Sequence, residues 1–173
     1  MRVIGIDPGT RRTGWGVVEI EGTRLKHIAA GTIAVPAKRP LSTRLHAIHQ
    51  GLAELVTLHQ PAEMAVEEIF FAKYANAALK LGHARGVVLL VAAQKELQVH
   101  EYPPAIVKRT VAGSGQADKE QVARLVGTLL GLQKSFDVDA TDALAVAITH
   151  IQAARTMRRL PEKKLRKIRT PVQ

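Results

Sequence analysis

The chain has 173 residues, 46% of them apolar and few of them aromatic, which suits one domain with an aliphatic core. It contains no cysteine, so disulfides and thiolate metal sites are excluded and a reducing compartment is indicated. No apolar run approaches the roughly 18 residues of a membrane helix, and the N-terminal segment lacks the parts of a signal peptide. We therefore expect a soluble, cytoplasmic protein that does not insert into a membrane.

The formal net charge of +10 is unevenly distributed. Eight of the 25 Lys and Arg residues lie from Arg155 onwards, where Glu162 is the single acid. We therefore predict a domain over residues 1–157 and a basic, flexible tail over residues 158–173. Such a tail either contacts nucleic acid or an acidic membrane surface, or is a solvated extension, and charge alone does not choose between these functions.

The first part of the sequence predicts three successive strands. Residues 2–7 form a short apolar run, which is typical of a central strand, and the following Asp-Pro-Gly indicates a turn. A second strand is predicted over residues 14–20 and a third over residues 25–35, joined by a turn at Glu21-Gly22-Thr23. The pattern predicts a three-stranded meander.

Helices and strands then alternate along the rest of the sequence. Helices are predicted over residues 41–59, 74–96, 103–111, 118–130 and 139–157, and strands over residues 63–67 and 98–101. Pro40 and Pro61 mark the ends of the first helix, and Asp118 is expected to cap the fourth, with Gln121 three residues later. This order predicts an α/β sheet covered by helices.

Three segments place carboxylates beside strongly apolar stretches. Asp7 ends the first strand, Glu67 and Glu68 end the fourth, and Asp139 and Asp142 begin the last helix. An acid at the end of a buried strand is costly unless positive charge meets it. If these acids converge in the fold, they form an oxygen-only cage for hard divalent cations, which is the apparatus of phosphodiester hydrolysis.

Each acid also has an ordinary structural interpretation. Asp7 suits a turn before Pro-Gly, and Asp139 suits a helix N-cap. Strand alternation puts Glu67 and Glu68 on opposite faces, so only one can point at a shared site, and we select Glu67. Asp139 and Asp142 share a helical face. The residues that follow them are almost all apolar, so we expect this helix to be buried with its acids facing protein or a ligand.

Four carboxylates within a few ångströms repel one another unless cations hold them. We therefore predict that Asp7, Glu67, Asp139 and Asp142 bind two Mg²⁺ ions, with Mn²⁺ as the alternative, roughly 4 Å apart across a scissile phosphate. His46 and His49 have a short spacing, but they fall in the middle of a predicted helix on its solvent side. We do not expect them to bind metal.

Cationic and aromatic side chains near these segments are candidates for nucleic-acid contacts. The cations are Lys73, Lys80, Arg85, Lys108, Arg109 and Lys119, for each of which a merely solvated side chain is the alternative. Lys108 and Lys119 flank the flexible Gly113-Ser114-Gly115 loop. Of Phe70 and Phe71, we expect one in the core and the other free to stack on an unpaired base.

Four blocks of this sequence resemble the bacterial RuvC family of Holliday junction resolvases. They are IGIDPGT at 4–10, VEEIFFAK at 66–73, ALKLGHARG at 78–86 and DATDALAVAITH at 139–150, and the resemblance extends in order over residues 2–150. It implies an RNase H-like fold with a mixed five-stranded sheet and helices on both faces. It also implies a homodimer that uses Mg²⁺ to nick two strands of like polarity at a four-way DNA junction, in homologous recombination and DNA repair.

The resemblance carries further expectations. The nicks leave 5′-phosphate and 3′-hydroxyl ends, and the family's partners are the RuvA and RuvB branch-migration proteins. By position, Asp7, Glu67, Asp139 and Asp142 resemble the catalytic carboxylates, Phe70 the base-stacking aromatic, and Lys108 and Lys119 the DNA-binding lysines. Some members have histidine where this chain has Asp139, and that exchange shifts the metal preference.

Dimerisation is also expected from symmetry, because one carboxylate cluster makes one cut and a junction needs two. The 74–96 helix carries the small residues that allow close helix approach, namely Ala75, Ala78, Gly82, Gly86, Ala92 and Ala93. We select it as the interface, and ordinary packing on the sheet is the alternative.

Three other classes share part of the pattern. The segment at 4–10 also resembles the phosphate-binding hairpin of actin-like ATPases and sugar kinases, but those proteins need a second subdomain for which this chain is too short. A non-catalytic DNA-binding module would use the acids as caps and turns. A third alternative is a related nuclease that acts on RNA, and residues 70–73 argue only weakly against it.

Overall fold

Each element predicted from the sequence is present in the computed structural model. The model describes residues 1–68, 75–133 and 136–159, and residues 158 and 159 are described by their backbone alone. The strands are β1 (Arg2–Asp7), β2 (Arg12–Glu21), β3 (Arg24–Ala34), β4 (Glu63–Glu67) and β5 (Gln98–Tyr102). The helices are α1 (Leu41–His59), α2 (Ala75–Gln94), α3 (Pro104–Ala112), α4 (Lys119–Leu130) and α5 (Val138–Arg159). The β2 strand begins two residues earlier than predicted, because its ladder with β3 continues to the pair Arg12 and Ala34.

The five strands form one mixed sheet in the order β3-β2-β1-β4-β5. The pairs β1 with β2 and β2 with β3 are antiparallel, as expected of a meander. The pairs β1 with β4 and β4 with β5 are parallel, so helices make the connections between these strands. The predicted RNase H-like sheet is confirmed.

Helices cover both faces of this sheet, also as predicted. On one face, Ile4 and Met64 pack in a cluster with Ile48 of α1 and Val88 of α2. On the other face, α5 packs across all five strands and shares a second cluster with α3 and α4. Because successive strand residues point to opposite faces, residues 3, 5 and 7 of β1 lie on the α5 face.

Glycines in β1 and β2 let α5 lie very close to the sheet. A methyl group at Gly5 would overlap the carbonyl oxygen of Ala143, and one at Gly14 would overlap that of Asp139. Gly16 meets the side chain of Leu144 in the same way. The first two turns of α5 therefore pack directly on β1 and β2, beside Asp7 at the end of β1.

Three further predictions concern the ends of elements and the tail. The Asp118 carboxylate accepts a 2.7 Å hydrogen bond from the Gln121 amide, so its capping role is confirmed. The α5 helix continues to Arg159, and the rest of the predicted flexible tail lies outside the described residues. Within residues 1–68, 75–133 and 136–159, no helix combines the length and apolarity that a bilayer crossing requires.

Candidate active site

The register of the sheet puts Asp7 and Glu67 side by side. The β1 and β4 strands are parallel, with Ile6 opposite Val66, so the next pair along is Asp7 and Glu67. Ala65, two residues before Glu67, belongs to the core under α5, and alternation gives Glu67 the same face. Both acids therefore end buried strands at the same edge of the sheet, on the side covered by α5.

The head of α5 brings two more acids to this edge. Gly14 pairs with Asp7 across the β1–β2 ladder and lies beneath the backbone of Asp139. Asp142 follows one helical turn later. The charges of Asp139 and Asp142 both act on Asp7, so the four acids predicted from three distant segments share one electrostatic neighbourhood.

Burial and mutual repulsion dominate the electrostatics of this cluster. Burial, followed by the charge of Glu67 and a hydrogen bond with it, raises the pKa of Asp7 to about 8, and the charges of Asp142 and Asp139 add to the effect. Asp7 therefore keeps its proton at neutral pH and donates it to Glu67. Burial also raises the pKa of Glu67, although the Asp7 hydrogen bond and the nearby Lys119 and Lys108 oppose this.

The helix cap of α5 is Asp137, and the interpretation of Asp139 as an N-cap was wrong. The Asp137 carboxylate accepts hydrogen bonds from the Ala140 amide at 2.9 Å and from the Thr32 hydroxyl at 2.8 Å. Burial raises the pKa of Asp137, but these two hydrogen bonds and the Arg12 charge hold it below the ordinary value. With the cap supplied one residue before the helix begins, the Asp139 side chain is free for other contacts.

Arg12 is a site neighbour that sequence reasoning did not pair with the acids. Its guanidinium donates to Asp139 and, at 2.7 Å, to Asp137. The pKa of Arg12 is raised by its hydrogen bond to Asp139 and by the charges of both acids. No local pattern could have shown this contact, because more than 120 residues separate its partners.

Two of the predicted DNA-binding cations lie beside the carboxylates. The Lys119 ammonium is 3.1 Å from Asp142, and this contact raises the pKa of Lys119. Its side chain remains 70% exposed, so it can also reach a ligand in solvent. The charge of Lys108 acts on Glu67, which places Lys108 on the same side of the cluster.

The other predicted DNA contacts fall into three groups. Lys80 and Arg109 are exposed. Arg85 makes two 2.6 Å hydrogen bonds to Glu101, so its guanidinium is already held by the protein. Phe70, Phe71 and Lys73 lie outside the described residues.

The donor set fits a hard divalent cation. It consists of carboxylate oxygens, the ligands that Mg²⁺ and Mn²⁺ prefer. Two of its members, Asp7 and Glu67, have raised pKa values because they are buried near like charges. A cation relieves such repulsion in the same way as the Asp7 proton does, so the cluster has the electrostatic character of a metal site.

Comparison with known proteins supports the same interpretation. Residues 3–150 match the family described as crossover junction endodeoxyribonuclease RuvC. The protein of that name from Azorhizobium caulinodans is 52% identical over 150 residues, which cover 87% of this chain and 89% of the relative. The corresponding protein from Bradyrhizobium diazoefficiens is 53% identical over 150 residues, covering 87% and 86%.

Solved structures agree with these relatives. The RuvC of Thermus thermophilus in complex with a Holliday junction substrate superimposes with a TM-score of 0.86 at 36% identity, covering 91% of this chain and 96% of that one. The yeast mitochondrial Holliday junction resolvase Ydc2 has a TM-score of 0.63 at 11% identity, covering 90% and 81%, and supports the fold alone. The family predicted from the sequence is thereby confirmed: the chain belongs to the RuvC family of crossover junction endodeoxyribonucleases.

Proposed function

We propose that this protein resolves four-way DNA junctions by two symmetric nicks, one from each copy of a homodimer. The observation that carries the proposal is the meeting of four acids from β1, β4 and α5, one of which must hold a proton to be tolerated. Such a cluster on an enzyme of this family suits hydrolysis of a phosphodiester, with 5′-phosphate and 3′-hydroxyl products and a role in recombination and repair.

Asp7, Glu67, Asp139 and Asp142 are the residues that would hold Mg²⁺, and by resemblance each site takes two ions, with Mn²⁺ as the alternative. Bound divalent cations supply Lewis acidity at the phosphate and lower the pKa of water. Asp7 has to release its proton before its second oxygen can act as a ligand. Arg12 holds Asp139 in place at the first turn of α5.

Lys108 and Lys119 give this end of the protein its positive rim. Both act on the carboxylates, and the Lys119 side chain is mostly exposed, so a DNA phosphate can approach it without displacing protein atoms. Phosphate contacts of this kind position the DNA and make affinity salt-dependent. The base-stacking role of Phe70 or Phe71 and the contacts of Lys73, Lys80 and Arg85 are further proposals, which rest on the sequence.

We infer that the dimer forms through α2. Its inner side, with Ala84 and Val88, is buried against the sheet, but Leu79 and Leu90 on its outer side are 63% and 50% exposed. Gly86 lies on the same outer side, and a side chain added there would meet open space among the described residues. An apolar, glycine-containing helix face of this kind allows close approach of an identical helix across a two-fold axis.

Light scattering at micromolar concentration tests this interface. We expect a dimer for the wild type and a monomer for Leu90→Glu. A matched change of an exposed leucine on α1, Leu58→Glu, should leave the dimer intact. A monomeric wild type would remove the claim. RuvA and RuvB as partners and a cytoplasmic location rest on the family resemblance alone.

Cleavage of a synthetic four-way junction, with a linear duplex of the same sequence as control, tests the proposed activity. Glu67→Gln and Glu68→Gln form a matched pair, since they are adjacent acids of which only Glu67 lies beside Asp7. We expect Glu67→Gln to bind the junction without cutting it, and Glu68→Gln to cut. A protein that only binds DNA would behave identically in both variants, and equal cutting of both substrates would contradict junction selectivity.

A further inference from the structure

A second group of metal-binding side chains lies at the opposite end of the α5 face. Glu63 opens β4, His100 lies in β5, and His150 comes from the middle of α5. One ligand atom of each residue lies within 4.8 Å of those of the other two. His150 Nε2 is 2.6 Å and His100 Nε2 is 3.2 Å from the same glutamate oxygen. Three separate elements therefore aim nitrogen and oxygen donors at one point.

His150 is buried and has a hydrogen-bond partner on each ring nitrogen. Its side chain is only 3% exposed, and its second ring nitrogen, Nδ1, is 2.7 Å from the Tyr102 hydroxyl. A partner on the distal nitrogen sets the tautomer and the ring orientation of a ligand. Burial lowers the pKa of His150, and the neighbouring His100 adds to this, although the hydrogen bond and charge of Glu63 oppose it. The ring is therefore neutral at neutral pH and has a lone pair to offer.

His100 has a nitrogen with no adequate partner. Its Nε2 atom is shielded from solvent and, among the described residues, accepts or donates no well-directed hydrogen bond, although Glu63 is close. A buried polar atom left unpaired is costly, and native proteins seldom keep one without a reason. Its ring stacks on that of His150 with centroids 4.4 Å apart, so both donors remain side by side.

This group is separate from the four carboxylates. Glu63 precedes Glu67 by four residues of the same strand, which is about 13 Å. His150 follows Asp142 by eight residues of the same helix, which is about 12 Å. The two groups share β4 and α5 but occupy opposite ends of them.

We propose that Glu63, His100 and His150 form a binding site for a borderline divalent cation such as Zn²⁺, distinct from the carboxylate cluster. Ligand atoms around a tetrahedral Zn²⁺ lie about 3.3 Å apart. The 3.2 Å separation of His100 Nε2 from the Glu63 oxygen matches this distance, whereas the 2.6 Å separation of His150 Nε2 from that oxygen is a hydrogen bond that has to widen. Imidazole nitrogens favour such an ion over Mg²⁺. The Glu63 and His100 side chains are 25% and 40% exposed, so the group lies near the surface even though the His100 Nε2 atom itself is shielded.

Binding would require a change of tautomer at His150 and a widening of its 2.6 Å contact with Glu63 by less than about 1 Å. Without metal, the neutral ring donates Nε2–H to Glu63 and accepts a hydrogen bond from Tyr102 at Nδ1. With metal on Nε2, that proton leaves to solvent, Nδ1 takes one up, and Nδ1–H donates to the Tyr102 oxygen. The ion then joins β4, β5 and α5, and so clamps the helix that carries Asp139 and Asp142 to the strand that carries Glu67.

Equilibrium dialysis against Zn²⁺ tests the site, with tag-free protein and excess Mg²⁺ to occupy the carboxylates. We expect one Zn²⁺ per chain in the wild type and in Asp7→Asn, and loss of that ion in both His100→Ala and Glu63→Gln. Tyr102→Phe keeps the three ligands but removes the partner of His150, so affinity should fall by about 10- to 100-fold. Equal Zn²⁺ binding by the wild type, His100→Ala and Glu63→Gln would overturn the proposal.

Nitrogen-15 NMR of histidine-labelled protein gives a second readout that does not depend on affinity. Zn²⁺ should shift the Nε2 resonances of His100 and His150 and convert His150 to the Nδ1–H tautomer. His46 and His49 on α1 are the internal controls and should not move. A spectrum in which Zn²⁺ shifts the α1 histidines and leaves His100 and His150 unchanged would overturn the proposal even if an ion is bound.

Discussion

The two ends of the α5 face carry titratable clusters of opposite character on the same framework. At one end, Asp7 and Glu67 are buried among further acids, and a proton must remain on Asp7. At the other end, the Glu63 carboxylate faces two imidazoles, and His150 is hydrogen-bonded at both ring nitrogens. The acid end therefore has an excess of negative charge, whereas at the histidine end His150 is fully paired and a single His100 nitrogen lacks a partner among the described residues.

If both proposed sites bind cations, the fold separates two kinds of cation chemistry. Oxygen donors that repel one another need a hard cation, whereas neutral nitrogen donors around one carboxylate suit a borderline cation. The spacing between the ends follows from the strand and the helix that they share. The comparison leads to four predictions, which begin with the largest effect.

Removal of one carboxylate at the acid end should nearly abolish catalysis. We expect Asp7→Asn or Glu67→Gln to cut a four-way junction at least about 1,000-fold more slowly, because the proposed metal site would supply at least about 4 kcal/mol of transition-state stabilisation. Junction affinity measured by fluorescence anisotropy should change little. His100→Ala at the histidine end is the control, and a comparable loss of rate there would mean that the two ends are not functionally distinct.

Both ends depend on the close approach of α5 to the sheet. Gly5→Ala should destabilise the protein by about 3 kcal/mol, because its methyl group overlaps the Ala143 carbonyl oxygen and the helix must move. Urea unfolding measures the change. Gly127→Ala in α4 is the matched control, since a methyl group there meets nothing and should stabilise the helix slightly. Equal effects of the two changes would contradict the close packing.

The Asp7 proton makes stability depend on pH. In the unfolded chain Asp7 ionises above about pH 4, but in the native state it keeps its proton up to about pH 8. The free energy of unfolding therefore falls as the pH rises between these two values, by at most about 1.4 kcal/mol per pH unit. Above about pH 8 it no longer changes with the ionisation of Asp7. Below pH 4 both states hold the proton, and the penalty is absent.

Thermal unfolding in metal-free buffer checks this dependence. Asp7→Asn should have a higher Tm than the wild type at pH 7, by about 3 °C or more, and the two should converge near pH 4. Glu68→Gln should follow the wild type. A lower Tm for Asp7→Asn at pH 7 would show that the acid end is not under electrostatic strain.

The smallest expected effect concerns the positive rim of the acid end. Lys119→Ala should weaken junction binding modestly and reduce the slope of log affinity against log salt by about 1, because one phosphate contact is lost. Lys95→Ala is the control. Lys95 follows the last residue of α2 and donates a hydrogen bond to Thr57 of α1. A salt slope that is the same in all three proteins would exclude Lys119 as a phosphate contact.

Much of the acid end could be predicted because its signals are local. Strand alternation separated Glu67 from Glu68, and helical spacing put Asp139 and Asp142 on one face. The sequence did not show which acid at the head of α5 caps the helix and which faces the site. Asp137 and Asp139 both precede the apolar stretch. Asp137 is the cap because it accepts the hydrogen bond from the Ala140 amide, and the distant Thr32 hydroxyl holds the same carboxylate.

The histidine end shows why the rest could not be predicted. The closely spaced histidines in the sequence are His46 and His49. The side chains that could hold a metal ion are Glu63, His100 and His150, each from a different element. The sequence by itself determined the type and approximate bounds of every described element, because hydrophobic periodicity and turn residues act over a few positions. The tertiary structure decided which distant side chains meet, because strand register and the approach of α5 to the sheet depend on packing of the whole chain.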